Sequence, residues 1–301
     1  MYEAHFGLQE LPFSLNPDPS FLTFTPNHSK ALSILEFGLA SQSGITVVTG
    51  EIGAGKTTLI RYLLNTMSDD RTVGLISTTH KSFGELIHWI SMAFDLDHRD
   101  KDKVELYDQF YNFMIEEYGK GNRVVLIVDE AQNLDAETIE ELRVISNINA
   151  DKDLVLQLVV VGQPELADTL RSPELKQFAQ RVSAYYHLEP LDLLSTKQYI
   201  KHRMQVAGAD RNPFQQKAVE LIHEASRGVP RVINTLCHFA LTYCFAEGRK
   251  TVTEKLMQQI LADHENYGLF GVGGGLDQSP IEGKLIASNE FLSPERRSGH
   301  Q

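Results

Sequence analysis

The stretch GEIGAGKTT occupies residues 50–58 and directly follows the apolar run ITVVT at residues 45–49. Three of its first six residues are glycine, although glycine weakens both strands and helices. The stretch fits the pattern G-x-x-x-x-G-K-[ST], between a predicted strand and a predicted helix, which is the setting of a phosphate-binding loop. Backbone N–H groups of the loop and the positive end of the helix would then face phosphate oxygens. The sequence therefore predicts a P-loop fold.

The residue types in this loop suit contact with the phosphates of ATP. Side chains at the three glycine positions would block the approach of phosphate oxygens to the backbone. Lys56 is expected to reach the β- and γ-phosphates from a solvent-facing loop, Thr57 to ligate Mg²⁺, and Thr58 to add a phosphate contact. The loop residues predicted to contact the nucleotide are Gly50, Glu51, Ile52, Gly53, Ala54, Gly55, Lys56, Thr57 and Thr58.

A second motif, VVLIVDEAQNL at residues 124–134, ends an apolar run in an acidic pair. The run is apolar at every position, as in a strand that is buried on both faces. A carboxylate at the carboxyl end of a parallel strand faces the same crevice as the phosphate loop. We therefore expect Asp129 to hold Mg²⁺ through a water and Glu130 to polarise the water that attacks the γ-phosphate. Because a kinase would not need the adjacent glutamate, the pair favours a hydrolase.

Short apolar runs alternate with helical patterns in the first two thirds of the chain, which predicts a doubly wound parallel sheet covered by helices on both faces. The predicted strands are 45–49, 72–77, 123–128, 155–161 and 184–188. The predicted helices between and before them are 29–41, 57–67, 83–94, 104–118, 136–147 and 173–181. The remaining pattern is helical, with helices at 193–207, 213–225, 230–245 and 253–264, the second and third opened by a proline in the first turn.

These patterns divide the chain into four regions. We predict an ordered lead-in rich in aromatic residues and proline at 1–28, an α/β core at 29–190 and a C-terminal α-helical lid at 191–265. Residues 266–301 are rich in glycine and serine and have no periodicity, so we expect this tail to be disordered. The nucleotide is expected between core and lid, with the lead-in aromatics and prolines near Phe13 and Pro26 forming a wall for the adenine.

Composition narrows the functional classes. The 301 residues are 42% apolar and carry a net charge of −12, which argues against nucleic acid as the main partner. We see no apolar run long enough for a membrane helix and no signal peptide, so we expect a cytoplasmic protein. Cys237 and Cys244, the two cysteines, lie seven residues apart in a helical pattern and are interpreted as small core residues, which fits a reducing compartment.

Four separated phrases carry a resemblance to a known family. They are MYEAHFGLQELPFSLNPDPSFL at 1–22, DEAQNL at 129–134, VVVGQPEL at 159–166 and GVPRVINTLC at 228–237. Together with the order of the motifs, they resemble AAA+ ATPases of the general secretion pathway A type, most closely those encoded with exosortase and exopolysaccharide loci. The resemblance covers residues 1–262. Longer secretion members also carry a membrane helix and a peptidoglycan-binding domain, neither of which we identify in this sequence.

The resemblance implies roles for further residues. Gln163 falls at the position of the sensor 1 group, although glutamine there is less usual than asparagine or threonine. Arg231 resembles the sensor 2 arginine, which reaches the γ-phosphate from the lid. Arg181 resembles the arginine finger that completes a neighbouring subunit's site; Arg171 competes with it, and either could instead be a surface ion-pair residue. Thr78, after the second predicted strand, is assigned as a polar partner that holds Glu130 inactive until a ligand binds.

The resemblance implies an oligomeric ATP hydrolase that works with Mg²⁺, with a ring as one form of the assembly. Its expected partners are further copies of itself and components of a bacterial secretion or polysaccharide-export machine, at the inner face of the inner membrane. Two alternatives stay open. One is a DNA-dependent ATPase of the transposition type, a class that usually carries a basic surface. The other is a scaffold that binds ATP and hardly turns it over, which the Asp129–Glu130 pair argues against.

Overall fold

The computed structural model describes residues 1–16, 18–41, 44–77, 85–150 and 153–267. Its main sheet has five parallel strands in the order β2-β3-β6-β1-β7. The strands along the chain are β1 Ile45–Gly50, β2 Arg71–Ile76, β3 Arg123–Val128, β4 Asn149–Ala150, β5 Asp153–Leu154, β6 Leu156–Gly162 and β7 Val182–Leu188. Strands β4 and β5 form a separate antiparallel pair. In the main sheet, β6 is inserted between β1 and β3, so the two motifs at the ends of β1 and β3 are one strand apart.

Helices precede, cover and follow the sheet. In chain order they are α1 Glu3–Phe6, α2 Pro26–Ala40, α3 Lys56–Thr66, α4 Leu86–Ala93, α5 Lys103–Gly119, α6 Ala136–Ile145, α7 Pro164–Leu170, α8 Lys176–Arg181, α9 Leu193–Val206, α10 Gln216–Ser226, α11 Pro230–Ala246 and α12 Glu254–Tyr267. Within the described ranges, none of them combines the length and the apolar character that a bilayer crossing requires.

Strand β3 illustrates why the sheet is covered on both faces. Val124, Leu126 and Val128 point to the side that α4 to α8 cover, whereas Val125 and Ile127 point to the side that α2 and α3 cover. All five side chains are fully buried. Alternate residues of one strand thus enter two different cores, as the uninterrupted apolar run requires. The doubly wound α/β prediction is confirmed.

The lid, α9 to α12, has its own apolar core, and the lead-in packs into it. Tyr2, Phe13 and Phe21 are buried in this cluster, as are Cys237 and Cys244, both as free thiols. A backbone hydrogen bond also joins the lead-in to the lid, since the N–H of Gln9 donates to the carbonyl of Ala207 at 2.8 Å. Tyr2, Phe13 and Phe21 therefore belong to the core of the lid and not to that of the sheet.

Several local expectations differ from the structure. The helix expected from residue 213 begins at Gln216, because Phe214 pairs with Val252 and the carbonyl of Pro213 accepts from the N–H of Val252 at 2.9 Å. Helix α7 and the β4–β5 pair were not predicted, and the helix expected at 173–181 begins with a 3-10 turn at Pro173–Leu175. The predicted disordered tail lies beyond the described residues, apart from 266 and 267, which end α12.

Candidate functional site

A cavity of about 340 Å³ lies where the carboxyl edge of the sheet meets the lead-in and the lid. This volume falls within the usual range for small-ligand sites, which begins at about 300 Å³. The predicted site residues among those that line it are Ile52, Gly53, Gly55, Lys56, Thr57, Thr58, Glu130, Gln163 and Arg231. Most of the candidate residues, from four separate parts of the chain, therefore lie at one place in the fold.

The glycines of the loop have two structural causes. Gly53 and Gly55 have φ values of +79° and +102°, in the left-handed region that glycine adopts without steric cost. At Gly50 the cause is packing, because a Cβ atom would lie 2.8 Å from the carbonyl oxygen of Leu188 on β7. At Gly53 a Cβ would also lie 2.3 Å from the Cβ of Arg231. Close packing against β7 at Gly50 and against the lid at Gly53 therefore adds a second reason for glycine, besides the approach of phosphate.

Lys56 is buried, whereas Glu51 and Ile52 of the same loop are exposed. Only 6% of Lys56 is exposed, and its Nζ donates to the carbonyl oxygens of Gly50 and Glu51 at 2.7 and 3.0 Å. Burial lowers the pKa of Lys56, and the negative charges of Glu130 and Asp129 oppose that shift. The ammonium group is therefore desolvated and held close to the loop backbone beside two carboxylates.

Thr57 and Asp129 are in direct contact. The Thr57 hydroxyl donates to Asp129 Oδ2 at 3.0 Å, and Asp129 Oδ1 accepts from the backbone N–H of Glu130 at 2.9 Å. Burial raises the pKa of Asp129, a carboxyl group that these two donors and Lys56 help to keep ionised. A hydroxyl and a carboxylate side by side supply the hard oxygen ligands that Mg²⁺ takes. Both residues therefore fit the predicted metal site.

Glu130 has a left-handed backbone, with φ +55°, which is costly for a residue with a side chain. Its carboxylate Oε2 accepts from the side-chain amides of Gln132 at 2.6 Å and Gln163 at 3.3 Å. Sequence reasoning missed Gln132, although it lies within the phrase DEAQNL that carried the family resemblance. Thr78, the residue proposed to hold Glu130, lies outside the described residues.

The lid contacts the phosphate loop directly at Arg231. Pro230 begins α11, and the backbone N–H of Arg231, which an α-helix leaves without an internal partner, donates to the carbonyl of Gly53 at 3.2 Å. The side chain of Arg231 lines the cavity and lies over Gly53. The start of this lid helix is thereby fixed against the loop expected to bind phosphates.

Arg203 of α9 is a second lid arginine at the cavity, and sequence reasoning missed it. It is 7% exposed, and its guanidinium donates to the carbonyls of Pro12 and Ser14 and to the hydroxyl of Tyr199. Its Cζ lies 4.7 Å from the centre of the Phe21 ring, a cation–π distance. Arg203 therefore fastens the lead-in to the lid at the wall of the cavity.

The adenine wall predicted from lead-in aromatics and prolines near Phe13 and Pro26 stays a prediction, but the structure describes which lead-in residues reach the cavity. Neither Phe13 nor Pro26 is among the described residues that line the cavity, and Phe13 is buried edge-on against Phe214 of the lid. The lead-in residues at the cavity are instead Ser14, Leu15, Asn16, Asp18, Phe21, Leu22 and Thr23. A proline- and aromatic-rich composition indicated an ordered segment but not which of its side chains pack inward.

His28 of α2 forms a hydrogen bond with the backbone of the phosphate loop. Its Nε2–H donates to the carbonyl of Ala54 at 3.2 Å, and its Nδ1 lies 2.7 Å from the hydroxyl of Thr25. Burial lowers the pKa of His28, which keeps the ring neutral. A Cβ atom at Gly55 would lie 3.0 Å from the same ring nitrogen, so the histidine and the glycine fit each other.

The two candidate finger arginines lie away from the described lining of the cavity. Arg181 ends α8, is partly buried, and donates from Nη1 to the hydroxyl of Ser146 at 3.3 Å. Arg171 is exposed and forms an ion pair with Asp168 at 3.0 Å. Neither is positioned by these contacts to act on this chain's own cavity, and the geometry does not choose between them.

Comparison with known proteins agrees with this geometry. Residues 39–170 match the family described as "AAA domain". The chain is 39% identical over 249 residues to general secretion pathway protein A of Aeromonas hydrophila, a match that covers 82% of this chain. It spans 46% of the length of that relative.

Solved structures with the same fold are more distant in sequence. The Aeropyrum pernix ORC2 protein, solved as ADPNP–ADP complexes, superposes with a TM-score of 0.63 at 17% identity, over 85% of this chain and 72% of that one. Cdc6p from Pyrobaculum aerophilum gives a TM-score of 0.65 at 15% identity, over 84% and 70% of the two chains. The chain therefore has the P-loop fold of these structures, with residues 39–170 similar to the AAA domain and a helical lid after them.

Proposed function

We propose that this protein binds ATP with Mg²⁺ in the cavity and hydrolyses it, and that hydrolysis drives a bacterial secretion or export machine. The observation that carries the first part is the contact of Thr57 with Asp129 beside the cavity, with Lys56 and Glu130 on either side. These residues supply a phosphate-directed cation, oxygen ligands for a metal and a general base. No other class of ligand matches this combination as well as a nucleoside triphosphate.

Lys56 and the loop backbone would bind the phosphates. The ammonium group exchanges its two backbone carbonyl partners for phosphate oxygens, and the N–H groups at the start of α3 face the same anion. Gly53 and Gly55 provide the backbone conformation for this cradle, and Thr58 adds a further contact. Mg²⁺ held by Thr57 and Asp129 would supply charge neutralisation for the phosphate oxygens.

Glu130 would orient the attacking water and accept its proton. The residue lies at the carboxyl end of β3, faces the cavity and is held by amide donors from two directions. Gln163 at the end of β6 lies close enough to both Glu130 and the cavity to take part in orienting that water. Arg231 would stabilise charge on the γ-phosphate from the lid, since its permanent charge and planar fork suit phosphate oxygens.

Arg181 would act on a neighbouring copy of the chain. It ends α8 and is not among the described residues that line its own cavity, so in this role it would reach a nucleotide across a subunit interface. Oligomerisation, as a ring or an open assembly, follows from this role. Each subunit would then bring the active site and depend on its neighbour for the finger.

The identity to general secretion pathway protein A supports secretion as the process that is driven. We infer that the partners are inner-membrane components of a secretion machine, and that the protein works from the cytoplasm at the inner face of that membrane. The finer proposal, a polysaccharide-export machine of the exosortase type, rests on the resemblance of the four phrases. Neither proposal assigns a specific partner.

Lys56→Ala is expected to weaken binding of ATP by about 10- to 100-fold, because it removes a charge-assisted contact with phosphate. Isothermal titration of the variant with a non-hydrolysable ATP analogue measures the loss. Lys255→Ala, which removes an exposed lysine on α12, is the matched control and should bind as wild type. Thermal unfolding establishes that both variants are folded. A folded Lys56→Ala protein with affinity within twofold of wild type would contradict the phosphate-loop role.

Glu130→Gln and Arg181→Ala are each expected to bind ATP but to hydrolyse it slowly. The hydrolysis rate should fall by about 10²-fold or more in Glu130→Gln, which loses the general base, and by about 10³-fold or more in Arg181→Ala, which loses the finger. One variant has a dead site with an intact finger, and the other has an intact site without a finger. Mixing the two should restore activity that neither has alone, and that activity should depend on concentration.

Arg171→Ala is the control for the finger and should behave as wild type. Restored activity after mixing supports a finger that acts between subunits. Wild-type turnover by Arg181→Ala would exclude Arg181, and loss of activity in Arg171→Ala would transfer the role to that residue. Wild-type turnover by both arginine variants would favour a monomeric ATPase.

Duplex DNA should not stimulate the ATPase, because a net charge of −12 opposes binding to phosphate backbones. The steady-state rate is measured with and without DNA at low and at moderate salt. A strong stimulation that declines as salt is added would indicate the DNA-dependent, transposition type of ATPase in place of a secretion ATPase.

A further inference from the structure

Gln132 connects the two strands whose ends carry the candidate catalytic groups. It lies just beyond β3, in the 3-10 turn Ala131–Asn133 that follows Glu130. Its side-chain oxygen Oε1 accepts from the backbone N–H of Gln163 at 2.9 Å, and its Nε2 donates to Glu130 Oε2 at 2.6 Å. One amide group thus spans from the end of β6 to the carboxylate at the end of β3.

The orientation of this amide is determined by its partners. A backbone N–H can only donate, so the oxygen of Gln132 must face Gln163. The NH₂ group must then face the Glu130 carboxylate, which accepts. The amide therefore makes complementary hydrogen bonds at both ends, and turning it over would break both of them.

Gly162 leaves the space that the Gln132 amide occupies. A Cβ atom on Gly162 would lie 3.0 Å from Gln132 Oε1 and 2.7 Å from a methyl carbon of Leu166. The residue immediately before Gln163 is therefore small where the amide passes. Packing against Gly162 and the hydrogen bond to the Gln163 N–H both favour this position of the Gln132 side chain.

Glu130 needs such a partner because of its own geometry. Its left-handed backbone, with φ +55°, directs the side chain from a strained turn, and a glutamate side chain has three rotatable bonds. A short hydrogen bond from a neutral amide to an ionised carboxylate removes much of that freedom. A displacement of about 1 Å in a reacting group is enough to cost about 10²-fold in rate.

We propose that Gln132 is a positioning residue that holds the Glu130 carboxylate at the attacking water and ties its location to the end of β6. This inference rests on the proposed hydrolysis of ATP. Because the Gln163 backbone is the other attachment of the same amide, a movement of the end of β6 would carry Glu130 with it. Gln132 acts through Glu130 and makes no contact with substrate in this role.

Two substitutions of Gln132 test the hydrogen bonds that its amide donates and accepts. Gln132→Leu removes both hydrogen bonds at similar size. Gln132→Glu keeps an acceptor for the Gln163 N–H and places a carboxylate oxygen against Glu130, so the two like charges repel. Both are expected to lower kcat by about 10- to 100-fold. Dissociation constants for an ATP analogue, and melting temperatures, should stay close to wild type.

Asn133→Ala is the matched control, because Asn133 belongs to the same turn but is exposed. It should keep wild-type kcat. If Gln132 only stabilised the turn, its variants would lower the melting temperature and leave kcat nearly unchanged, and that result would overturn the proposal. An increase in kcat would also overturn it, since it would make Gln132 a restraint on Glu130.

A double-mutant cycle tests whether Gln132 acts through Glu130. In the Glu130→Gln background, Gln132→Leu should cause no further loss of single-turnover rate, because the group it positions is already absent. A further tenfold loss would place the action of Gln132 elsewhere and overturn the proposal. If Glu130→Gln is inactive but both Gln132 variants turn over as wild type, only the positioning role fails. If Glu130→Gln itself turns over as wild type, the proposed function of Glu130 fails as well.

Discussion

The hydrogen bond from the Thr57 hydroxyl to Asp129 Oδ2 joins the phosphate loop to the acidic pair after β3, the two halves of the candidate site. Thr57 lies in the first turn of α3, and Asp129 follows β3, which is separated from β1 by the inserted strand β6. Asp129 is only 4% exposed, so its carboxylate needs nearby donors to remain charged. The parallel order of the strands brings these partners to one edge of the sheet, and the groups proposed for hydrolysis are arranged around them.

The lid and the lead-in form one structural unit, which lines the cavity on the side opposite the phosphate loop. Arg203 attaches the lead-in to α9, and the buried aromatic rings of the lead-in complete the core of the lid. Arg231 then joins this unit to the phosphate loop through the carbonyl of Gly53. A nucleotide in the cavity would touch the core, the lead-in and the lid at once, so its binding energy could act on the position of all three.

The sequence was sufficient for the features that are encoded locally. The P-loop, the acidic pair after β3 and the two-faced apolar run each predict their own structure, because spacing and residue type alone determine it. The features that the sequence could not predict are contacts between residues that are distant in the chain. The packing of Gly50 against Leu188, the burial of Phe13 in the lid and the bridge from Gln132 to Gln163 all require the fold before they can be seen. The pairing of Phe214 with Val252 overrode a proline-initiated helix for the same reason.

We propose that the cavity between the phosphate loop, the lead-in and the lid is the nucleotide site. Hydrogen–deuterium exchange of Glu130→Gln, measured with and without ATP and Mg²⁺, is the decisive experiment because this variant should bind ATP without consuming it. Bound ATP should slow exchange in three separate segments, residues 14–23, 50–58 and 231–234. Protection confined to residues 50–58, or absent from all three segments at saturating ATP, would show that the nucleotide does not occupy this cavity.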